Sequence, residues 1–364
     1  MASPRTFNIF NNPHRFVEGW YWAIASHQLK VGQVKAVTIQ GRDLAIYRGS
    51  NKKVVAIDAY CPHMGAHLAE GRVEGDRLRC FFHNWAFDKN GTCTDAPCLD
   101  GPPPLRQATF PTAEQYGMVW VWTGTTPTQP PPAVPELEGQ PCQASLGRHF
   151  VRNCHPNVVM INAIDANHFN TVHNFPVEIV FASAERTDGA ITFQNTTRGG
   201  EDSLFLKLIR PFYQNEITYA MCYRYGSVGT VTVGPDRFHV HIMFALRMLA
   251  GGKTEGQTIL ITPKRAGVHG ALFNRVVLCL TAQVGDYFGR GDRHVFETIQ
   301  FNLTTPTRAD QSIVTFAQHI ERQRALAWQT WEPCTVESPL EASPTASNHP
   351  AKNHIASAAN LTTP

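Results

Sequence analysis

No stretch of eighteen consecutive apolar residues occurs in this sequence, so no bilayer-spanning helix is expected. Charge is scarce as well. Charged residues make up 17% of the chain, the net charge is +3, and no basic block stands out. That excludes the electrostatic footprint of a nucleic-acid binder or of a protein held on an acidic membrane surface. Residues 1–16 are polar and mixed and lack the apolar centre of a signal peptide. The nine cysteines are an odd number and follow no secreted disulfide framework. Reduced thiols in a cytoplasmic protein account for them. There are no internal repeats. No G-x-G-x-x-G follows a strand, and no C-x₄-C-x₂-C set is present, so the chain carries neither a dinucleotide fingerprint nor a plant-type iron–sulfur module of its own.

What is present suits two domains: 364 residues, 43% of them apolar. From Trp20 to about Gly124 the chain reads as short strands broken by glycine, for example over 34–39, 43–47, 53–57 and 118–123. A stiff proline-rich linker over 126–135 follows. Beyond it, residues 191–196, 204–209, 217–225, 230–233 and 238–248 read as consecutive antiparallel strands. Ile313, Phe316, Ile320 and Ala327 recur at helical spacing and predict a helix over 308–329. After Cys334 the composition turns to Ser, Pro, Ala, Asn and Thr, which predicts a disordered tail over 335–364.

The chemistry begins at Cys61-Pro62-His63. Sixteen residues separate it from Cys80-Phe81-Phe82-His83. Two thiolates and two imidazoles in a C-x-H…C-x-x-H frame are the ligand set of a Rieske [2Fe–2S] centre, in which neutral imidazoles raise the potential above that of an all-Cys cluster. Cys₂His₂ is also a zinc set. A classical zinc finger, however, puts both Cys in one half and both His in the other, whereas here each half supplies one of each. Cys93 and Cys98 read as incidental thiols of a Gly/Pro-rich loop.

About eighty residues further on stands Asn162-Ala163-Ile164-Asp165-Ala166-Asn167-His168-Phe169-Asn170-Thr171-Val172-His173. With one carboxylate, His168 and His173 would form the 2-His-1-carboxylate triad of non-haem Fe(II) enzymes, which leaves one face of the iron open. Five residues apart, the two lie about 140° round an ideal helix. Both can ligate only if the helix is irregular or ends between them. His239 and His241 alternate along a strand and read as ordinary strand residues.

The combination of C-x-H…C-x-x-H with N-x-x-D-x-x-H-x-x-x-x-H resembles the catalytic subunits of Rieske non-haem iron oxygenases. Within that family it looks most like the 3-ketosteroid 9-alpha-hydroxylases and cholesterol 7-desaturases. The resemblance runs from about Trp20 to Trp331, although family members more often carry Pro and Gly where this chain has Phe81 and Asn84. It implies an α+β fold, with an all-β Rieske domain over 1–125 and, over 136–334, a helix-grip catalytic domain of antiparallel sheet and packed helices. It implies Asp292 as third iron ligand, since Asp292 precedes Glu297 by five residues. Asp286, Glu297 and Asp310 are the other acids in this region. It also implies a head-to-tail homotrimer in which Asp165 bridges His83 of one subunit and His168 of its neighbour, and a role for Asn162 beside the iron.

The activity so implied is hydroxylation or desaturation of an apolar polycyclic substrate, steroid-like in preference. The apolar residues of 158–172 would line the pocket. O₂ and electrons would come from outside the chain, the latter from a separate NAD(P)H-dependent reductase with or without a ferredoxin. Aromatic-ring dihydroxylation is one alternative, and a non-catalytic Rieske electron carrier is another.

Overall fold

The computed structural model describes residues 7–173, 179–195, 217–224, 227–235 and 238–327. The strand expected over 204–209, the tail and Cys334 lie outside the described residues.

Up to Trp122 the described chain forms three small antiparallel sheets. Strands Val34–Ile39, Arg42–Arg48 and Val54–Asp58 pair in order, and Thr109–Phe110 closes the edge. Trp20–Ala25 pairs with Met118–Trp122. Arg72–Glu74, Arg77–Arg79, Ala86–Phe87 and Cys93–Asp95 make a four-stranded sheet that carries the second Cys-His loop.

Cys142–Arg152 opens a seven-stranded antiparallel sheet. Next to it, in spatial order, come Thr254–Pro263, Val240–Met248, Val228–Pro235, Ile217–Arg224, Ile191–Asn195 and Phe181–Glu185. Helices α1 (Pro156–Asn162), α2 (Ala166–Thr171), α3 (Gly267–Gly291), α4 (Arg293–Thr298) and α5 (Gln311–Glu321) pack around this sheet. Helix α3 follows directly from a central strand and lays Leu278 on Ile242 and Leu260. On α5, Ile313, Phe316, Ala317 and Ile320 recur at i, i+3, i+4 and i+7. They are buried with Phe193, Met221 and Tyr223 of the sheet, at roughly 1.5–3 kcal/mol for each large side chain.

One expectation changes. The C-terminal helix was predicted over 308–329 but ends at Glu321, capped by Arg322. Ala325–Leu326 turns away to pair with Phe16–Val17, so long-range β pairing overrides local periodicity. The proline-rich linker and the residues after it are seated on the fold. Val134 and Leu137 are buried with Trp20, Trp122, Met243 and Ile261, and Trp20 Nε1 donates to the Gln129 carbonyl at 3.0 Å. Among the described residues, no helix is long and apolar enough to cross a membrane.

Candidate metal centres

The first Cys-His pair lies on a loop tied shut by short main-chain bonds. Gly65 N donates to Cys61 O at 2.8 Å, Cys61 N donates to Ala66 O at 2.9 Å, and Tyr60 bridges to His67. Gly65 has φ +74°, the left-handed region that glycine enters freely. The second loop closes through Cys80 N to Trp85 O at 2.8 Å. Here Asn84 holds φ +58°. Asn tolerates that region better than most residues, so the replacement of Gly at this position keeps the turn.

Cys61 and Cys80 are buried, whereas His63 is exposed and His83 half-buried. The imidazole rings lie 4.6 Å apart, edge to face. Burial, and then the neighbouring Cys80 sulfur, push the Cys61 thiol up to about 12. A thiol so placed gives up its proton readily only to a strong cation. Trp85 lies flat on His63 at 4.2 Å and 6°, and its Nε1 donates to Cys98 Sγ at 3.4 Å. Cys98 thus anchors the indole that backs His63, a contact that the sequence pattern did not reveal. Around one tetrahedral zinc, S and N donors would sit about 3.3–3.8 Å apart, given bond lengths of 2.0–2.3 Å. No three of these four donor atoms lie within 4.8 Å of one another. Such a spread suits a two-iron cluster.

The second constellation is more compact. His168, His173 and Asp292 each offer an atom within 4.8 Å of the others, and among the described residues no other such group occurs. His173 Nε2 lies 2.9 Å and His168 Nε2 3.7 Å from Asp292 Oδ1. All three residues are buried. Within that pair, His173 Nε2 and Asp292 Oδ1 complete no well-formed hydrogen bond. Two nitrogens and one carboxylate oxygen aimed at a common point, with buried polar atoms unsatisfied, fit a divalent metal.

The geometry that the spacing demanded is present. Helix α1 stops at Asn162, α2 starts at Ala166, and His173 lies just past the C-cap Val172. Asp165 caps α2, its Oδ1 accepting from Asn167 N at 3.1 Å and His168 N at 3.3 Å. The link from Asp165 to the imidazole is made by its main-chain carbonyl instead, 2.7 Å from His168 Nδ1. A proton on Nδ1 leaves the Nε2 lone pair for a metal. Asn162 Nδ2 lies 3.2 Å from that Nε2. Burial holds the His173 pKa below its usual value, against the pull of Asp292, and favours the neutral, ligating form.

The rival acids are engaged elsewhere. Asp286 pairs with Arg148 at 2.6 Å, Glu297 with Arg293 at 2.7 Å, and Asp310 caps Thr307. His241 is buried against Thr232 Oγ1 at 2.9 Å, and His239 meets Glu136 at 2.9 Å. Glu136 is a partner too remote in sequence to foresee.

Three side chains pin the carbonyls at the α1–α2 break. Tyr223 Oη donates to Met160 O at 2.6 Å, Tyr219 Oη to Ala163 O at 2.9 Å, and Ser312 Oγ to Ile164 O at 2.6 Å. The triad opens onto a cavity of about 600 Å³. Met160, Phe169, Val231, Ile242, Phe244 and Phe288 line it, together with several arginines at one side.

Residues 19–111 match the family model of the Rieske [2Fe-2S] domain, so the chain carries a Rieske domain. It is 39% identical over 168 residues to cholesterol 7-desaturase of Xenopus laevis, covering 44% of this chain and 37% of that protein. It is 34% identical over 182 residues to the oxygenase component of 3-ketosteroid-9-alpha-monooxygenase from Rhodococcus rhodochrous, covering 48% and 47%. The similarity to aminopyrrolnitrin oxygenase of Pseudomonas fluorescens is 34% over 176 residues, covering 45% and 47%. The matched segment spans about half the length of these curated relatives or less. Among solved structures, NdmB of Pseudomonas putida CBB5 superposes with a TM-score of 0.62 at 17% identity, covering 82% of this chain and 89% of that one. Dicamba monooxygenase with non-haem iron does so with 0.57 at 18% identity, covering 84% and 95%. These last two likenesses are of fold.

Proposed function

We propose that this chain is the oxygenase component of a Rieske non-haem iron system, hydroxylating or desaturating an apolar polycyclic substrate, steroid-like in preference. O₂ and electrons from a separate NAD(P)H-dependent reductase are its co-reactants. The observation that carries this reading is the meeting of His168, His173 and Asp292 at the wall of an apolar cavity, in a chain with a Rieske domain. The names of the steroid-acting relatives support the substrate class.

The cofactors are a Rieske [2Fe–2S] cluster on Cys61, His63, Cys80 and His83, and a mononuclear Fe(II) on His168, His173 and Asp292. When bound, the cluster supplies electrons singly and the iron supplies the site of O₂ activation. The chain's own groups prepare that chemistry. The Asp165 carbonyl holds a proton on His168 Nδ1, burial keeps His173 neutral, and the aromatic walls exclude water from the substrate. A mere electron carrier needs neither the triad nor the cavity. All eight described cysteines are unbridged, which supports a reducing cytoplasmic setting.

Metal analysis tests the reading. The oxygenase requires about three irons and about two sulfides per chain. It also requires O₂ uptake with a reductase against sterols or polycyclic aromatics. About two irons, with no substrate-dependent uptake, would replace it by the carrier.

In the homotrimer that goes with this reading, Asp165 holds the His168 imidazole through its main-chain carbonyl, and its carboxylate would reach His83 of the partner subunit. Asp165→Asn is expected to keep both metals and normal reduction by the reductase. Single-turnover transfer to the mononuclear iron should fall by orders of magnitude. Equal single-turnover rates in variant and parent would remove Asp165 from the path.

A further inference from the structure

Four arginines and three carboxylates line the cavity beside the triad. Two arginines are neutralised by neighbours, Arg148 by Asp286 and Arg293 by Glu297. Asp292 is turned to His168 and His173. Arg290 is exposed at the end of α3, bonded to the Asp286 carbonyl. That leaves Arg152, at the end of the strand Cys142–Arg152. It forms no ion pair among the described residues.

Its side chain is half-buried between two aromatic rings. The guanidinium lies 4.8 Å from the Phe150 ring and 5.9 Å from the Phe296 ring, and both rings line the cavity. Its one hydrogen bond among the described residues is from Nη1 to the Val151 carbonyl at 3.0 Å. Its Nε is fully buried and has no acceptor. Burial, and then repulsion from Arg293, hold its pKa below the usual guanidinium value. Glu297 and Asp292 attract it from a distance, but among the described residues no carboxylate pairs with it directly, so this half-buried guanidinium keeps donors for an anion. A guanidinium presents five N–H donors in a fork that matches a carboxylate. A metal dication on the triad would make the cavity more positive still.

We infer that Arg152 is the anion-binding subsite of this cavity, and that the substrate is an apolar skeleton carrying a carboxylate. The skeleton lies against the aromatic and aliphatic wall, and the carboxylate meets the free edge of Arg152. This sets the orientation in which a carbon–hydrogen bond faces the triad. The inference deepens the oxygenase reading and rests on it for the meaning of the cavity. The binding measurement below stands without turnover.

Calorimetric titration of the metal-loaded, full-length protein with two matched pairs tests it: lithocholate against its methyl ester, and 2-naphthoate against its methyl ester. The parent should bind at least one acid about tenfold more tightly than its ester, the strength of one charge-assisted hydrogen bond. Arg152→Gln should erase that preference while leaving ester affinity, melting temperature and the Rieske spectrum in place. Arg152→Lys should keep a reduced preference, because charge remains while the fork is lost. No acid-over-ester preference in either pair, including no binding at all, overturns the proposal. So does a preference that survives in Arg152→Gln. Failure of the metal and O₂ tests would sink the oxygenase reading while leaving the acid-over-ester result as it stands.

Discussion

At the scale of single residues, the seat of His173 depends on an atom that is missing. A Cβ built on Gly291 would lie 2.9 Å from His173 Cε1 and 3.0 Å from its Nδ1, closer than carbon atoms pack. Gly291→Ala is therefore expected to push the imidazole off the triad. Mononuclear iron content and turnover should fall while the Rieske spectrum stays unchanged. Full iron occupancy in the variant, by metal analysis, would show that the ring has room to move.

His155 makes a second residue-scale case. It is buried at the start of α1, its Nδ1 accepting from Asn157 N at 3.2 Å, and burial lowers its pKa to about 4. His241 is lowered to about 4 for the same reason. Both fold neutral, and the unfolded chain takes up their protons near pH 6.5. The stability they allow is complete above that value and is lost as pH falls toward 4, by up to about 3 kcal/mol each. Urea unfolding at pH 7 and pH 5 checks this. His155→Asn, which can still cap α1, should flatten the slope.

Among these residues the candidate ligands were the most legible. Donor chemistry and short local spacing identify Cys61, His63, Cys80, His83, His168 and His173, because each pair shares one loop or one helix break. Asp292 required resemblance, since it reaches the histidines from α3 across the fold. Nothing local marks Trp85, Cys98 or Arg152, whose roles arise only where strands distant in sequence meet.

At the scale of elements, the end of α2 between His168 and His173 is the feature that lets two histidines five residues apart converge, and the break between α1 and α2 fixes where α2 begins. The α1–α2 break is held by hydroxyls from two other elements, the strand Ile217–Arg224 and helix α5. Tyr219→Phe removes the donor to Ala163 O and leaves that carbonyl unpaired, for about 1–3 kcal/mol. The expected result is a lower unfolding midpoint together with weaker iron retention, since the freed loop ends in Asp165, the cap of the helix that carries His168. Unchanged iron affinity would mean that Tyr223 and Ser312 hold the break alone.

Element legibility followed periodicity. The strands predicted over 34–39 and 191–196 coincide with Val34–Ile39 and Ile191–Asn195, the second within a residue. The 25-residue α3 was missed because it carries Gly285 and Gly289 and is apolar on exposed as well as buried faces. Val268, Leu272 and Val276 face outward, and Val277 and Leu278 inward. No single stripe announces such a helix.

At the scale of the whole molecule, the arm 8–17 belongs to one half of the chain by sequence and is fastened to the other. Glu321 on α5 accepts from the main-chain N–H groups of Asn8, Ile9 and Phe10 at 2.8–2.9 Å. Glu18 meets Arg324 at 3.0 Å, and Phe16–Val17 pairs with Ala325–Leu326. The backbone between the Rieske part and the seven-stranded sheet is thus doubled by a second, non-covalent tie that closes the chain into a ring. A ring can be cut once without falling open. With a protease site placed near Gln129 and cleaved in the folded protein, the two fragments should co-elute on size exclusion and keep their common melting transition. Glu321→Ala with the same cut should lower that transition without parting them, because the strand pairing of Phe16–Val17 and the shared core of Trp20, Trp122, Met243 and Ile261 still join the fragments.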